Sequence, residues 1–175
     1  ENLFVHTPTL RTADVSLTLD RPESAAQVRL SLKDLTGETL TSKTVAAARE
    51  IRQVLELPQA EPWTPDAPKL YRCEAALLDG KGEILDTRET RFGFRRVVFR
   101  ADGFYLNGEK IFLRGLNRHQ SYPYIGYAAT ESLQREDARI LKRELGCNAV
   151  RTSHYPQSQH FVDACDELGL LVFTE

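Results

Sequence analysis

Three short stretches concentrate the side chains that could do chemistry: Gly115-Leu116-Asn117-Arg118-His119, Arg151-Thr152-Ser153-His154-Tyr155-Pro156, and the carboxylate Glu175. Each follows a short apolar run. Two imidazoles, a guanidinium, an amide and a phenol donate or accept hydrogen bonds in fixed directions, which suits them to gripping the hydroxyls of a sugar. A lone histidine at a strand end is more often a structural hydrogen-bonder, but three polar ends together favour a binding site. Other chemistries fit these residues less well. Ser153 and His154 are neighbours on an extended segment and point to opposite faces, so they do not form a nucleophile pair. His154 and His160 lack Cys or carboxylate partners at zinc spacing, and Gly80-Lys81-Gly82 is too short to be a phosphate loop.

The elements that must position these groups alternate strand, helix, strand, helix, strand. Phe104 to Ile111 reads as a hairpin turning at Asn107-Gly108, a strong type I′ signal. Ile111 to Leu116 reads as an apolar strand. Leu133 to Leu145 is predicted as a helix with Leu133, Ile140, Leu141 and Leu145 on one face and Gly146 as its stop. Asn148-Ala149-Val150 opens a second strand. Ser158 is expected to cap a helix burying Phe161, Cys165 and Leu168 and ending at Gly169, before a third strand over Leu170 to Phe173. Parallel strands of this kind place ligands at their C-terminal ends, where the three polar stretches lie.

Upstream the pattern is different. Val15, Leu17 and Leu19 alternate with polar residues, as do Val28, Leu30 and Leu32, and later Tyr71, Cys73, Ala75 and Leu77. Turn signals separate the runs: Leu35-Thr36-Gly37-Glu38, the proline-stiffened Trp63 to Pro68, and Asp79-Gly80-Lys81-Gly82 leading into a strand from Ile84 to Phe94. Only the alanine-rich Thr44 to Glu50 suggests a helical turn. The expected fold class is therefore mixed: an all-β immunoglobulin-like sandwich over 1–97, then an incomplete parallel βα unit of about three strands and two helices over 98–175, which the family resemblance given below implies is the start of a (β/α)8 TIM barrel. Seventy-eight residues fall far short of the roughly 250 that a full barrel takes.

Composition narrows the function classes. The chain has 175 residues, 23 Lys plus Arg against 25 Asp plus Glu, and a net charge of −2, so it offers no general basic surface for nucleic acid. No apolar run approaches the roughly 20 residues of a membrane span. Three cysteines, Cys73, Cys147 and Cys165, are too few and too far apart for a disulfide framework, which favours a reducing, cytoplasmic setting. The absence of methionine, even at position 1, suggests either that something was removed or that the chain is an excised piece.

The run Asn148-Ala-Val-Arg-Thr-Ser-His-Tyr-Pro156, followed by Phe161-Val162, Asp166, Gly169 and Leu170 to Phe173, resembles the first signature of glycoside hydrolase family 2, the β-galactosidase and β-glucuronidase family. Trp63 to Tyr71, Phe92-Gly-Phe-Arg95, Phe104 to Ile111 and Arg114-Gly-Leu-Asn-Arg-His119 agree with it, the last being most similar to the β-galactosidase branch. The resemblance implies a fragment of a retaining glycosidase that cleaves terminal β-galactosides, with β-glucuronidase, β-mannosidase or a non-catalytic carbohydrate-binding scaffold as alternatives. It implies that His119 and His154 contact sugar hydroxyls, that Arg151 orients the nucleophilic glutamate, and that Tyr155 and Asn117 shape the pocket. Both catalytic glutamates, and the Mg or Na ligands of the β-galactosidases, are expected beyond residue 175, with no cofactor in this segment. Glu175 matches an acidic position not expected to be catalytic. A β-linked carbohydrate is the expected partner, this segment alone is expected to be inactive, and its open barrel edge is expected to favour self-association.

Overall fold

A computed structural model describes residues 2–175, which divide into two compact units: residues up to Pro62 with Lys69–Arg96, and Trp63–Pro68 with Val97–Glu175. In the first unit the period-2 segments form seven strands: β1 (Asn2–His6), β2 (Thr12–Thr18), β3 (Gln27–Lys33), β4 (Thr39–Ala46), β5 (Glu50–Glu56), β6 (Tyr71–Leu78) and β7 (Ile84–Phe92). They build two antiparallel sheets ordered β1-β2-β5 and β4-β3-β6-β7, the sandwich that the alternation implies. Inward residues Val15, Leu17, Val28, Leu30, Leu32, Ile51, Leu55 and Cys73 make one core, with Tyr71 and Phe94 meeting edge to face. Asp79 accepts backbone N–H bonds from Lys81 and Glu83 at 2.8 and 2.9 Å, which closes the β6–β7 hairpin. The helical turn expected over Thr44 to Glu50 does not form. Thr44, Val45 and Ala46 pair with Arg29, Val28 and Gln27 on β3, and cross-strand pairing outweighs the helix preference of a few alanines.

The second unit opens with an antiparallel meander of β8 (Val97–Arg100), β9 (Gly103–Leu106) and β10 (Glu109–Ile111). Asn107 and Gly108 turn it with φ of 55° and 94°, as a type I′ turn requires. Three parallel strands follow in one sheet, β11 (Gly115–Arg118), β12 (Ala149–Thr152) and β13 (Leu171–Phe173), with α1 (Glu131–Arg139) and α2 (Gln159–Leu168) in the connections. This is a βαβαβ unit, the pattern expected for the opening of a (β/α) barrel. Ala138, Leu141, Phe161, Ala164, Cys165 and Leu170 pack with Val150 into its core. No helix among the described residues is long and apolar enough to cross a membrane.

Three local expectations need correction. The strand expected over Ile111 to Leu116 is two strands, because Ile111 pairs with Phe104 in the meander. The buried side chain of Asn148 then holds the link, donating to the Phe112 carbonyl at 2.9 Å and accepting from Arg114 N–H at 2.7 Å. The helix expected to run to Leu145 becomes π-helical over Ile140–Glu144, and its buried side is Gln134, Ala138 and Leu141, while Leu145 is exposed. The extra residue in the π turn rotates the face that a strict 3.6 period assigns. Ser158 does stand at the N-cap of α2, but its side chain makes no capping bond; its N–H is satisfied by Gln120 Oε1 at 3.0 Å.

Candidate functional site at the strand ends

Register decides which side chains share a face. Asn117 lies beside Arg151, and Arg151 beside Phe173, so these three project from one side of the parallel sheet. That side is exposed at Asn117, Arg151 and Phe173. Arg118 and Thr152 are one residue on and project to the opposite, buried side. Gly115 permits the close start of the pairing: a Cβ there would sit 2.3 Å from the Ala149 carbonyl oxygen. Only glycine fits that approach.

Beyond the strand ends the expected residues come together. The His119 and His154 rings meet edge to face at 5.5 Å, and His119 lies 6.3 Å from the Tyr155 ring. Tyr155 Oη accepts the Gln120 N–H at 3.1 Å, which ties the loop after β11 to the loop after β12. Arg151 donates from Nε and Nη2 to Glu175 Oε1, while His154 Nδ1 is 2.8 Å from Glu175 Oε2. Glu175 is thus clasped on both oxygens. Its carboxyl is held below its ordinary value, chiefly by Arg151 and then by His154. Ser153 is fully buried and its Oγ has no partner among the described residues, so no base activates it. No three His, Cys, Asp or Glu side chains among the described residues gather as a metal-holding group. The arrangement gathers exposed imidazole and guanidinium groups at one mouth, the C-terminal ends of the parallel strands, able to bind hydroxyls in defined directions.

The sequence reading missed what holds this mouth in place. Arg118 is only 6% exposed, and its guanidinium donates to Asp137 at 2.7 and 2.9 Å, to Gln134 at 2.8 Å and to Gln157 at 2.7 Å. Its Cζ stands 4.0 Å above the Phe161 ring, and Gln157 returns a bond to the Arg118 carbonyl. One buried cation therefore ties β11 to α1, to α2 and to the loop that carries His154 and Tyr155. A polar residue, Gln134, on the inward face of a helix is the sequence signal for such a network. The segment Trp63–Pro68 supports the same unit: Trp63 Nε1 donates to the Asp166 carbonyl at 2.8 Å and Lys142 Nζ to the Pro65 carbonyl at 2.7 Å.

Comparison with known proteins agrees with this architecture. The family model "Glycosyl hydrolases family 2" matches residues 1–95, and "Glycosyl hydrolases family 2, TIM barrel domain" matches residues 97–175. The chain belongs to glycosyl hydrolase family 2. A beta-galactosidase of Thermoanaerobacterium thermosulfurigenes is 58% identical over 113 residues, which are 65% of this chain and 16% of that protein. The FMN-binding beta-glucuronidase of Facaelibacterium prausnitzii L2-6 superposes with a TM-score of 0.85 at 34% identity, over 98% of this chain and 27% of that one. Parabacteroides merdae beta-glucuronidase superposes with a TM-score of 0.79 at 31% identity, over 97% and 22% of the two chains. The chain therefore spans under a third of the length of each of these proteins. As a family 2 chain, it contains the sandwich and the first three strands of the barrel.

Proposed function

We propose that this segment carries the sugar-gripping part of a retaining, exo-acting β-galactosidase. The observation that supports this reading is the His119–His154 pair at 5.5 Å beside the Arg151–Glu175–His154 clasp, all at the C-terminal ends of parallel strands. In this reading His119 and His154 bind hydroxyls of the terminal sugar and favour its flattened transition state, while Asn117 and Tyr155 shape the pocket. Arg151 orients the nucleophile. The retaining route needs an acid/base and a nucleophilic carboxyl about 5 to 5.5 Å apart. Both come from strands after Glu175, so the 175-residue chain by itself is inactive. Three buried, unpaired cysteines support a cytoplasmic setting; burial pushes the thiols of Cys73 and Cys165 up to about 12.

The 58% identity to a beta-galactosidase favours galactosides, whereas the beta-glucuronidase structures support glucuronides as the second reading. The test is a panel of aryl β-galactoside, β-glucuronide and β-mannoside with the full-length protein that carries this segment. The expected result is hydrolysis of the galactoside first, with none by the 175-residue chain. Preference for the glucuronide replaces the sugar assignment. Turnover of any panel member by the short chain, purified free of host enzyme, overturns the division of labour.

A further inference from the structure

The loop between β11 and α1 contains a small hairpin that the sugar-gripping reading does not use. Tyr122 and Gly126 exchange two backbone bonds of 2.9 and 3.0 Å, and Ala128 N–H donates to the Ile125 carbonyl at 3.1 Å. Its base is fixed by Tyr122 Oη, which donates to the Leu133 carbonyl on α1 at 3.0 Å. Its tip is uncovered, with Tyr124 fully exposed at φ of 69° and Ile125 half-exposed, and Tyr127, the residue just after the closing pair, is 65% exposed. Single exposed apolar side chains are ordinary, but a contiguous patch on a pinned loop marks a binding surface.

The patch continues the site. Tyr127 meets Tyr155 edge to face at 5.5 Å, Tyr155 lies 6.3 Å from His119, and His119 lies 5.5 Å from His154. Successive ring contacts thus link the paired imidazoles through Tyr155 to Tyr127. We propose that Tyr127, backed by Tyr155, is the platform for the ring attached to the terminal sugar, an aglycone that presents a flat apolar face. This rests on the assignment of His119 and His154 to the terminal sugar. An aryl ring and the C–H face of a second pyranose share that chemistry, since both pack on an aromatic side chain with little need for directed hydrogen bonds. The fixed base keeps the ordering cost of binding small, because the hairpin is already in place.

The test uses three non-hydrolysable thioglycosides with the full-length protein: methyl thio-β-galactoside, phenyl thio-β-galactoside and thiodigalactoside. Dissociation constants are measured by calorimetry for the unsubstituted, Tyr127→Ala and Tyr127→Phe proteins. Tyr127 is exposed, so its replacement leaves the fold intact, which circular dichroism checks. The platform predicts that the phenyl compound, the thiodigalactoside or both bind about tenfold tighter than the methyl compound. Tyr127→Ala removes that preference and Tyr127→Phe keeps it. Which of the two larger ligands gains tells an aryl from a pyranosyl aglycone. Equal affinity for all three, a preference untouched by Tyr127→Ala, or no binding of any of them overturns the platform. Ring preference intact without hydrolysis of any galactoside sinks the galactosidase reading and leaves the platform standing; hydrolysis without ring preference does the reverse.

Discussion

Glu175 shows how much one carboxylate can organise. Its oxygens are divided between Arg151 on β12 and His154 in the loop that follows the same strand, so it sets their separation before any ligand arrives. Because these partners hold its carboxyl below the ordinary 4.5, the clasp is complete above that value and is lost as pH falls through the lowered folded value. A side-chain carboxyl NMR titration of the chain is expected to give a Glu175 midpoint below 4.5, and Arg151→Met is expected to move it back up. A midpoint at or above 4.5 in the unsubstituted chain contradicts the clasp. The histidines and Arg151 were legible in the sequence because their types and their place after apolar runs both pointed to strand ends. Arg118 was not. It stands one residue from Asn117, and only the strand register sends one side chain to the mouth and the other into the helices. Tyr127 was equally hidden, since nothing local to its loop shows that it lies against Tyr155.

At the scale of elements, helix ends show which features are local and which are not. Gly146 and Gly169 both read as helix stops, and both have positive φ, 65° and 84°. Their surroundings differ. A Cβ at Gly146 meets open space, whereas one at Gly169 would lie 2.1 Å from the Pro65 carbonyl oxygen. Gly146→Ala is therefore expected to cost about 1 kcal/mol, the price of a left-handed residue, and Gly169→Ala clearly more, because the Trp63–Pro68 segment must also shift. Thermal denaturation of the two variants decides it, and equal losses contradict the packing of that segment on Gly169. The stop signal was readable from sequence; the partner 104 residues earlier was not. In the same way the seven-stranded sandwich followed from period-2 alternation, while the π turn at Ile140–Glu144 escaped because hydrophobic spacing cannot report one inserted residue.

For the molecule as a whole, one family model covers residues 1–95 and a second covers residues 97–175. Alternating strands build the sandwich, and short βα units build a mouth that presents side chains at the strand ends. The account depends on that mouth gripping a sugar through His119 and His154. The most direct measurement is kcat/KM of the full-length protein, on its best substrate from the glycoside panel, after His119→Phe and after His154→Phe. His160→Phe on α2, where His160 faces Glu131 at 3.7 Å, serves as the control. The account predicts a fall of about 100-fold or more for each of the first two with the fold retained, and no comparable fall for the control. Activity near the unsubstituted value in either His119→Phe or His154→Phe contradicts it.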